Sequence, residues 1–309
     1  MTCDVEHGRQ ASSGAGQRVL VVGNPYSGLG SNKKYVNRLC SELDAHDIAS
    51  QVVWEAKQAE RLLDDPALPE WCRCVVAAGG DGTLAMLINR CPGVPVAVLP
   101  LGTENLFAKQ FGFHRNPKKL ARRIVKGAVQ RIDTAAAADH RFTLMLTAGF
   151  DADVVHRLHA WREQANRTKR ISHLSYIPHL LDSMRKYEFP TFDLETDDGA
   201  VRNGTQLFVF NMPVYCLRLP VCTSADPKDG LLNWIVLKNG GISHIASFFV
   251  YTLLGRHLRR RDVNHGRSRN LRIIPHAELP MQIDGDPVEF ETGEVRCMPE
   301  AMTVLSASA

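Results

Sequence analysis

Cys74-Val75-Val76-Ala77-Ala78 runs into Gly79-Gly80-Asp81-Gly82-Thr83, and helical spacing resumes from Leu84 to about Arg90. A short, Val-rich apolar run closed by glycine reads as a strand buried on both faces. Strand, glycine turn and helix together form the repeating half of a βαβ unit, which predicts a parallel sheet covered by helices. The flanks repeat the pattern. Arg18–Gly23 (RVLVVG) ends in Asn24-Pro25-Tyr26-Ser27-Gly28-Leu29-Gly30. A helix over Lys33–His46 follows, with Val36, Leu39, Cys40 and Leu43 on one face. Ala49–Trp54 reads as a strand and Gln58–Leu63 as a helix. Val94–Leu99 is a further strand, ending in Leu101-Gly102-Thr103-Glu104-Asn105, with helices near Asn105–Phe111 and over Pro117–Lys126. Sheets of this kind take ligands beyond the carboxyl ends of their strands.

The texture changes after about Asp133. Phe142–Thr147, Thr191–Glu195, Gln206–Asn211, Leu231–Leu237, Asn270–Ile274 and Met281–Ile283 are strand-like, with helical interruptions at Val154–Ala165 and Ser175–Tyr187. The expected fold class is α/β, an N-terminal doubly wound parallel-sheet domain followed by a mostly antiparallel β domain. The expected division is a disordered tail over 1–16, an α/β domain over 17–135 and a β-rich domain over 136–309, whose last strands can return to the first. The tail is rich in Ser, Gly and Gln and has no apolar core of a secretory signal.

Composition sets outer bounds. The chain has 309 residues, enough for one large or two medium domains with a real hydrophobic core. Hydrophobic residues are 44% and charged residues 23%, which excludes global disorder. A formal net charge of +4 gives no indication of a nucleic-acid partner. The best apolar run, Phe248–Leu254, is far short of the roughly 20 residues of a membrane span. Eight Cys without CxxC pairing read as free thiols of a reducing cytosol, and Cys72-x-Cys74 is a poor zinc half-site. Twelve His fall in no ligand spacing.

Three glycine-rich turns therefore sit at one sheet edge. Glycine lets successive amides approach one anion, a helix N-terminus adds partial positive charge, and Ser27, Thr83 and Thr103 add hydroxyls. Together they suit a polyphosphate, although none fits the Walker A spacing. Asp81 within the second turn would repel phosphate unless a cation bridges them, which implies Mg²⁺. Any one turn is equally a tight βα connection, and Asp81 is equally a helix N-cap.

The order and spacing of these turns resemble the diacylglycerol kinase catalytic family, which includes bacterial lipid kinases and sphingosine kinase relatives. The likeness continues through Ala148-Gly149-Phe150-Asp151-Ala152, Lys228-Asp229-Gly230-Leu231-Leu232, Gly255-Arg256-His257-Leu258 and Gln282-Ile283-Asp284-Gly285-Asp286, and covers about residues 18–305. The resemblance implies a nucleotide-binding first domain like that of NAD kinase and diacylglycerol kinase, and an acceptor-binding second one. It implies that ATP is held by Asn24, Ser27, Gly28, Gly79, Gly80, Asp81, Gly82, Thr83, Thr103 and Asn105. It makes Asp284 the general base, with Asp286 in the place of the family's Glu and Asp81 acting through Mg²⁺. It places a second, structural Mg²⁺ at Asp229, with main-chain carbonyls near Asp226 and Leu231. Departures from the family pattern stand at Val53, Leu106, Asp286 and residues 212–219.

The implied reaction is Mg²⁺-dependent transfer of the ATP γ-phosphoryl group to a lipid hydroxyl, with a diacylglycerol-like acceptor. Arg256, Arg259, Arg260 and Arg261 after Phe248–Leu254 mark one expected contact with a membrane surface. Arg157, Trp161, Arg162, Lys169 and Arg170 mark a second. Each is equally a core helix with a solvated end. The implied location is cytoplasmic, peripheral at the inner face of the membrane. Two other readings remain open at this point: a kinase of a soluble acceptor such as NAD, and an inactive nucleotide-binding relative. A Rossmann dehydrogenase is excluded by the lack of a proper GxGxxG. The sequence leaves the oligomeric state open, a homodimer included.

Overall fold

A computed structural model describes residues 18–25, 27, 32–90, 93–164, 176–216, 219–289 and 293–306. Gly28, Lys169, Arg170, residues 217–218 and the expected tail over 1–16 lie outside the described residues.

The chain opens with β1 (Arg18–Gly23), α1 (Asn32–Asp44), β2 (Ser50–Val53), α2 (Ala56–Leu63), α3 (Leu68–Trp71), β3 (Cys72–Gly79), α4 (Asp81–Arg90), β4 (Val96–Pro100), α5 (Leu106–Gln110) and α6 (Pro117–Lys126). β2-β1-β3-β4 pair in parallel in that order. Val19 to Val22 and Val75 to Ala78 are buried, as strands covered on both faces require. Helix α6 starts where Asn116 accepts the Lys119 amide and Pro117 fills the first turn.

The second half contains β5 (Val129–Ala137), β6 (His140–Phe142), β7 (Met145–Ala148), α7 (Phe150–Gln164), α8 (Tyr176–Lys186), β8 (Phe192–Thr196), β9 (Val201–Gly204), β10 (Gln206–Phe210) and β11 (Leu232–Leu237). It closes with α9 (Ile242–Leu253), β12 (Val263–Ser268), β13 (Asn270–Pro275), β14 (Met281–Ile283), β15 (Asp286–Val288) and β16 (Gly293–Leu305). β12-β11-β10-β7-β14-β15 form an antiparallel sheet.

β16 joins the halves. Its first residues pair antiparallel with β13, its length runs antiparallel to β5 with an irregularity between Met298 and Met302, and Val304 pairs in parallel with Val96 of β4. Strand alternation divides β10 between two cores: Leu207 and Val209 enter the core between the β sheets, whereas Phe208 and Phe210 join the larger one.

Phe142–Thr147, expected as one strand, is two strands in different sheets. The break falls where the amides of Thr143, Leu144 and Met145 turn to a carboxylate instead of a ladder partner. Helices α4 and α7 also begin earlier than helical periodicity suggests, at Asp81 and Phe150.

Candidate active site

Glycine fixes the second and third turns because nothing larger fits. A Cβ on Gly79 would lie 2.1 Å from the Thr83 hydroxyl oxygen, and one on Gly102 would lie 2.4 Å from the Cα of Gly80. The two turns therefore touch backbone to backbone. Leu101 and Gly102 both donate amides to the Gly79 carbonyl. Asn105, at φ 52°, closes its own turn: Oδ1 accepts from the Gly102 amide and Nδ2 donates to the Gly102 carbonyl. Asn32 pins the first turn, donating from Nδ2 to the carbonyls of Asn24 and Ser27 at 2.8 Å. Its role was not legible in sequence, because a polar residue opening a helix carries no signal of what it holds.

Asp81 stands at the start of α4, but its carboxylate accepts the amides of Leu106 and Phe107 in the first turn of α5. It thus ties the second glycine turn to the helix after the third. Burial raises its pKa, against the pull of those two amides. The Thr83 hydroxyl is buried and has no hydrogen-bond partner among the described residues.

Across the cleft, Asp284 occupies a left-handed position (φ 50°) between β14 and β15. Oδ1 accepts the amides of Leu144 and Met145 at 2.9 Å, and Oδ2 accepts that of Thr143 at 3.0 Å. Three successive amides converging on one carboxylate form an anion nest. Burial still dominates and carries its pKa up to about 7, with the charge of Asp81 adding to the rise. Asp286 is exposed at the cleft rim, 3.7 Å from His159 Nε2. Burial lowers the pKa of His159, opposed by the charge of Asp286.

A buried polar cluster lies deeper. Asp151 accepts from the Tyr215 hydroxyl at 2.6 Å and from the Thr147 hydroxyl at 2.7 Å, and Gln282 donates to Thr147 at 2.9 Å. Burial raises the pKa of Asp151 and, with Asp151 beside it, that of Tyr215. The resemblance motif contains Asp151, whereas Tyr215 stands in the departing 212–219 segment.

One cleft of about 720 Å³ joins these parts. Asn24, Ser27, Gly80, Asp81, Gly82, Thr83 and Thr103 line one end, and Asp284 and Asp286 line the wall. Phe150, Val154, Leu180, Met184, Phe208 and Phe249 make the other end apolar. Gly79 and Asn105 support the turns from behind rather than lining the space.

Asp226, Asp229 and Leu231 are not part of this cleft. Asp229 Oδ1 accepts the Leu231 amide and Oδ2 faces Arg267 at 3.5 Å, so a guanidinium already balances that carboxylate. The Asp226 carbonyl accepts the Asp229 amide. Buried Asp133 anchors the loop by accepting the amides of Gly230 and Glu300. In the cleft, Asp81 and Asp286 are all-oxygen donors of the kind Mg²⁺ takes, and the charge of Asp81 raises the cost of ionising Asp284. Among the described residues no group of three or more His, Cys, Asp or Glu side chains forms a ready metal cage. One or two carboxylates completed by substrate phosphates is the usual Mg²⁺ arrangement, and the cleft fits it.

The chain resembles known proteins along most of its length. Residues 18–137 match the diacylglycerol kinase catalytic domain, and residues 145–306 match the YegS C-terminal NAD kinase beta sandwich-like domain. A relative in Alcanivorax borkumensis, described as "Probable lipid kinase YegS-like", is 32% identical over 83% of this chain and 86% of its own length. A diacylglycerol kinase of Mycobacterium tuberculosis is 26% identical over 93% of this chain and 94% of its own. The crystal structure of a diacylglycerol kinase from Bacillus anthracis shares the fold, with a TM-score of 0.69 at 19% identity, over 94% of this chain and 97% of that one.

Proposed function

Because this chain belongs to the diacylglycerol kinase and YegS-like lipid kinase family, we propose that it transfers the γ-phosphoryl group of ATP to a lipid hydroxyl, with a diacylglycerol-like acceptor. The observation that carries the reading is the single cleft, with glycine-turn backbone at one end, apolar side chains at the other and Asp284 between them. A polyphosphate suits the first end and acyl chains the second.

Phosphoryl transfer of this kind depends mostly on positioning and charge neutralisation. The turns around Gly80 and Gly102 hold the phosphates. Asp81 and Asp286 are the carboxylates that would hold Mg²⁺ brought with ATP, which would supply neutralisation of phosphate charge. The acceptor hydroxyl loses its proton to Asp284 as its oxygen bonds to the γ-phosphorus and the bond to the ADP oxygen breaks. A carboxyl with a pKa of about 7 is matched to a base working near neutral pH. The amides of Thr143, Leu144 and Met145 fix its direction.

The test is transfer from γ-labelled ATP, with Mg²⁺, into mixed micelles of diacylglycerol, monoacylglycerol, sphingosine, ceramide or phosphatidylglycerol, with Asp81→Ala alongside. Label in an organic-soluble product, lost in the variant, is the expected result. No labelled lipid, with ATP still bound, would move the chain to a soluble acceptor or to an inactive nucleotide-binding role.

A further inference from the structure

The large hydrophobic side chains that face water are concentrated in two places. Of the ten exposed ones among the described residues, eight lie on α8 and at the end of α9. On α8, Ile177, Leu180, Leu181 and Met184 follow the i, i+3, i+4, i+7 spacing of one helix face and are 39% to 50% exposed. At the end of α9, Val250, Tyr251, Leu253 and Leu254 are 42% to 68% exposed. Exposed apolar side chains gathered on a helix face in this way mark an interaction site rather than ordinary surface.

Both helices wall the apolar end of the cleft. Leu180 and Met184 contribute from α8, and Ile242, Ile245 and Phe249 from α9. Phe189, just beyond α8, packs so tightly on Gly240, just before α9, that a Cβ there would lie 2.6 Å from the ring's own Cβ. The exposed residues and the cleft lining share these two helices: Leu180 and Met184 belong to both, and Phe249 lines the cleft directly before exposed Val250.

The charge around the patch is positive. Gly255, at φ 64°, ends α9: its amide donates to the Thr252 carbonyl and that of Arg256 to the Tyr251 carbonyl, the paired bonds of a Schellman stop. The stop places a basic segment directly after the apolar end. Arg256, Arg259 and Arg261 are exposed and form no ion pair among the described residues. Arg260 differs, being bound to Asp262 and lying 5.4 Å over the Tyr251 ring. Arg185 is exposed at the end of α8, while Asp182 there is balanced by Arg157 and Lys186.

We propose that α8 and the end of α9 form one docking face for an anionic lipid bilayer, through which the acceptor enters the cleft; the inference rests on the lipid-acceptor reading. Apolar side chains enter the acyl boundary while unpaired arginines meet lipid phosphates, the recipe of an interfacial segment. A second copy of the chain fits less well, because a two-fold contact would bring the same arginines face to face.

The test is co-sedimentation of the full chain with vesicles of phosphatidylcholine alone or mixed with phosphatidylglycerol. The variants are Ile177→Glu with Leu181→Glu, Leu253→Glu with Leu254→Glu, and Arg256→Gln with Arg259→Gln and Arg261→Gln. None of these residues lines the cleft. The arginine variant is expected to bind anionic vesicles on the order of 10²-fold more weakly, about one kcal/mol per charge, and neutral vesicles unchanged. The Glu variants lose binding to both. All three should phosphorylate a water-soluble, short-chain diacylglycerol at the parental rate. Parental-strength sedimentation of the variants would overturn the docking face. So would a failure of the parent chain to bind, or a dimer, seen by light scattering, that the Leu253→Glu, Leu254→Glu pair dissolves. If the parent sediments as expected yet phosphorylates neither the soluble nor the bilayer acceptor, the kinase reading fails and the docking face stands.

Discussion

At the phosphate end of the cleft the decisive atoms belong to the backbone, and Gly102 approaches Gly80 too closely to carry a side chain. At the acceptor end the decisive atoms belong to side chains gathered from distant positions, with Asp151, Tyr215 and the pair Gln282 and Asp284 drawn from three separate segments. At the first end, the contact between the glycine turns tolerates almost no change at Gly79 or Gly102, because its shape is the absence of a Cβ. The second can be rebuilt by substitution while the sheet beneath it stays the same. Conserving one reaction while varying the acceptor is what that division permits.

The largest expected effect lies where the two ends meet. Asp284→Asn keeps a residue tolerant of positive φ and should lower turnover by roughly 10² to 10⁴-fold with an unchanged circular dichroism spectrum. Near-parental turnover would remove Asp284 from the role of base. The pH dependence sharpens the point. The base works deprotonated, so the parental rate should fall as pH drops through about 7. The sign for stability is opposite. A carboxyl whose folded pKa lies above the unfolded value of about 3.9 favours folding most at low pH, and this contribution fades as pH rises through about 7. Denaturation midpoints of Asp284→Asn, measured across that window, should lack this slope.

Next comes Gly102→Ala, which tests whether the backbone contact is required. The added carbon meets the Gly80 backbone, so the turns must separate, at a cost of about 1–3 kcal/mol in stability together with weakened ATP binding. Equal ATP affinity by calorimetry would show that the contact is dispensable. Tyr215→Phe probes the other end. It leaves one buried Asp151 oxygen without its donor, for a loss of about 1–3 kcal/mol by urea denaturation, with ATP affinity unchanged. The smallest effect is at Gly82, where a Cβ would meet nothing in the protein within 4 Å. Gly82→Ala in the first turn of α4 should stabilise the chain by about 0.4–1 kcal/mol while weakening ATP. A stabilised variant with unaltered ATP affinity would place the phosphates elsewhere.

The same division explains what the sequence made legible. Gly79 to Thr83 announced a strand-turn-helix because only one residue type serves there, and β1, β3 and β4 were readable as short Val-rich runs. β5 was harder to see: VQRIDTAAA interleaves polar residues and ends in an alanine run, yet Ala135 and Ala137 are fully buried in the β core. The split of Phe142–Thr147 was invisible because its cause, Asp284, lies far along the chain. Asp151 appeared in sequence only as part of a family motif. Its partner Tyr215 carried no local signal, because their meeting depends on β7 and β10 pairing.

β16 also has a consequence for the order of assembly. The sheet that begins with β1 gains its bridging strand only when β16 arrives, after every residue of the second sheet has been made. Until then the edges of β4 and β5 that β16 covers stand open, and an uncovered edge invites wrong partners. β16, made after the second sheet, is therefore also the seal of the first during synthesis.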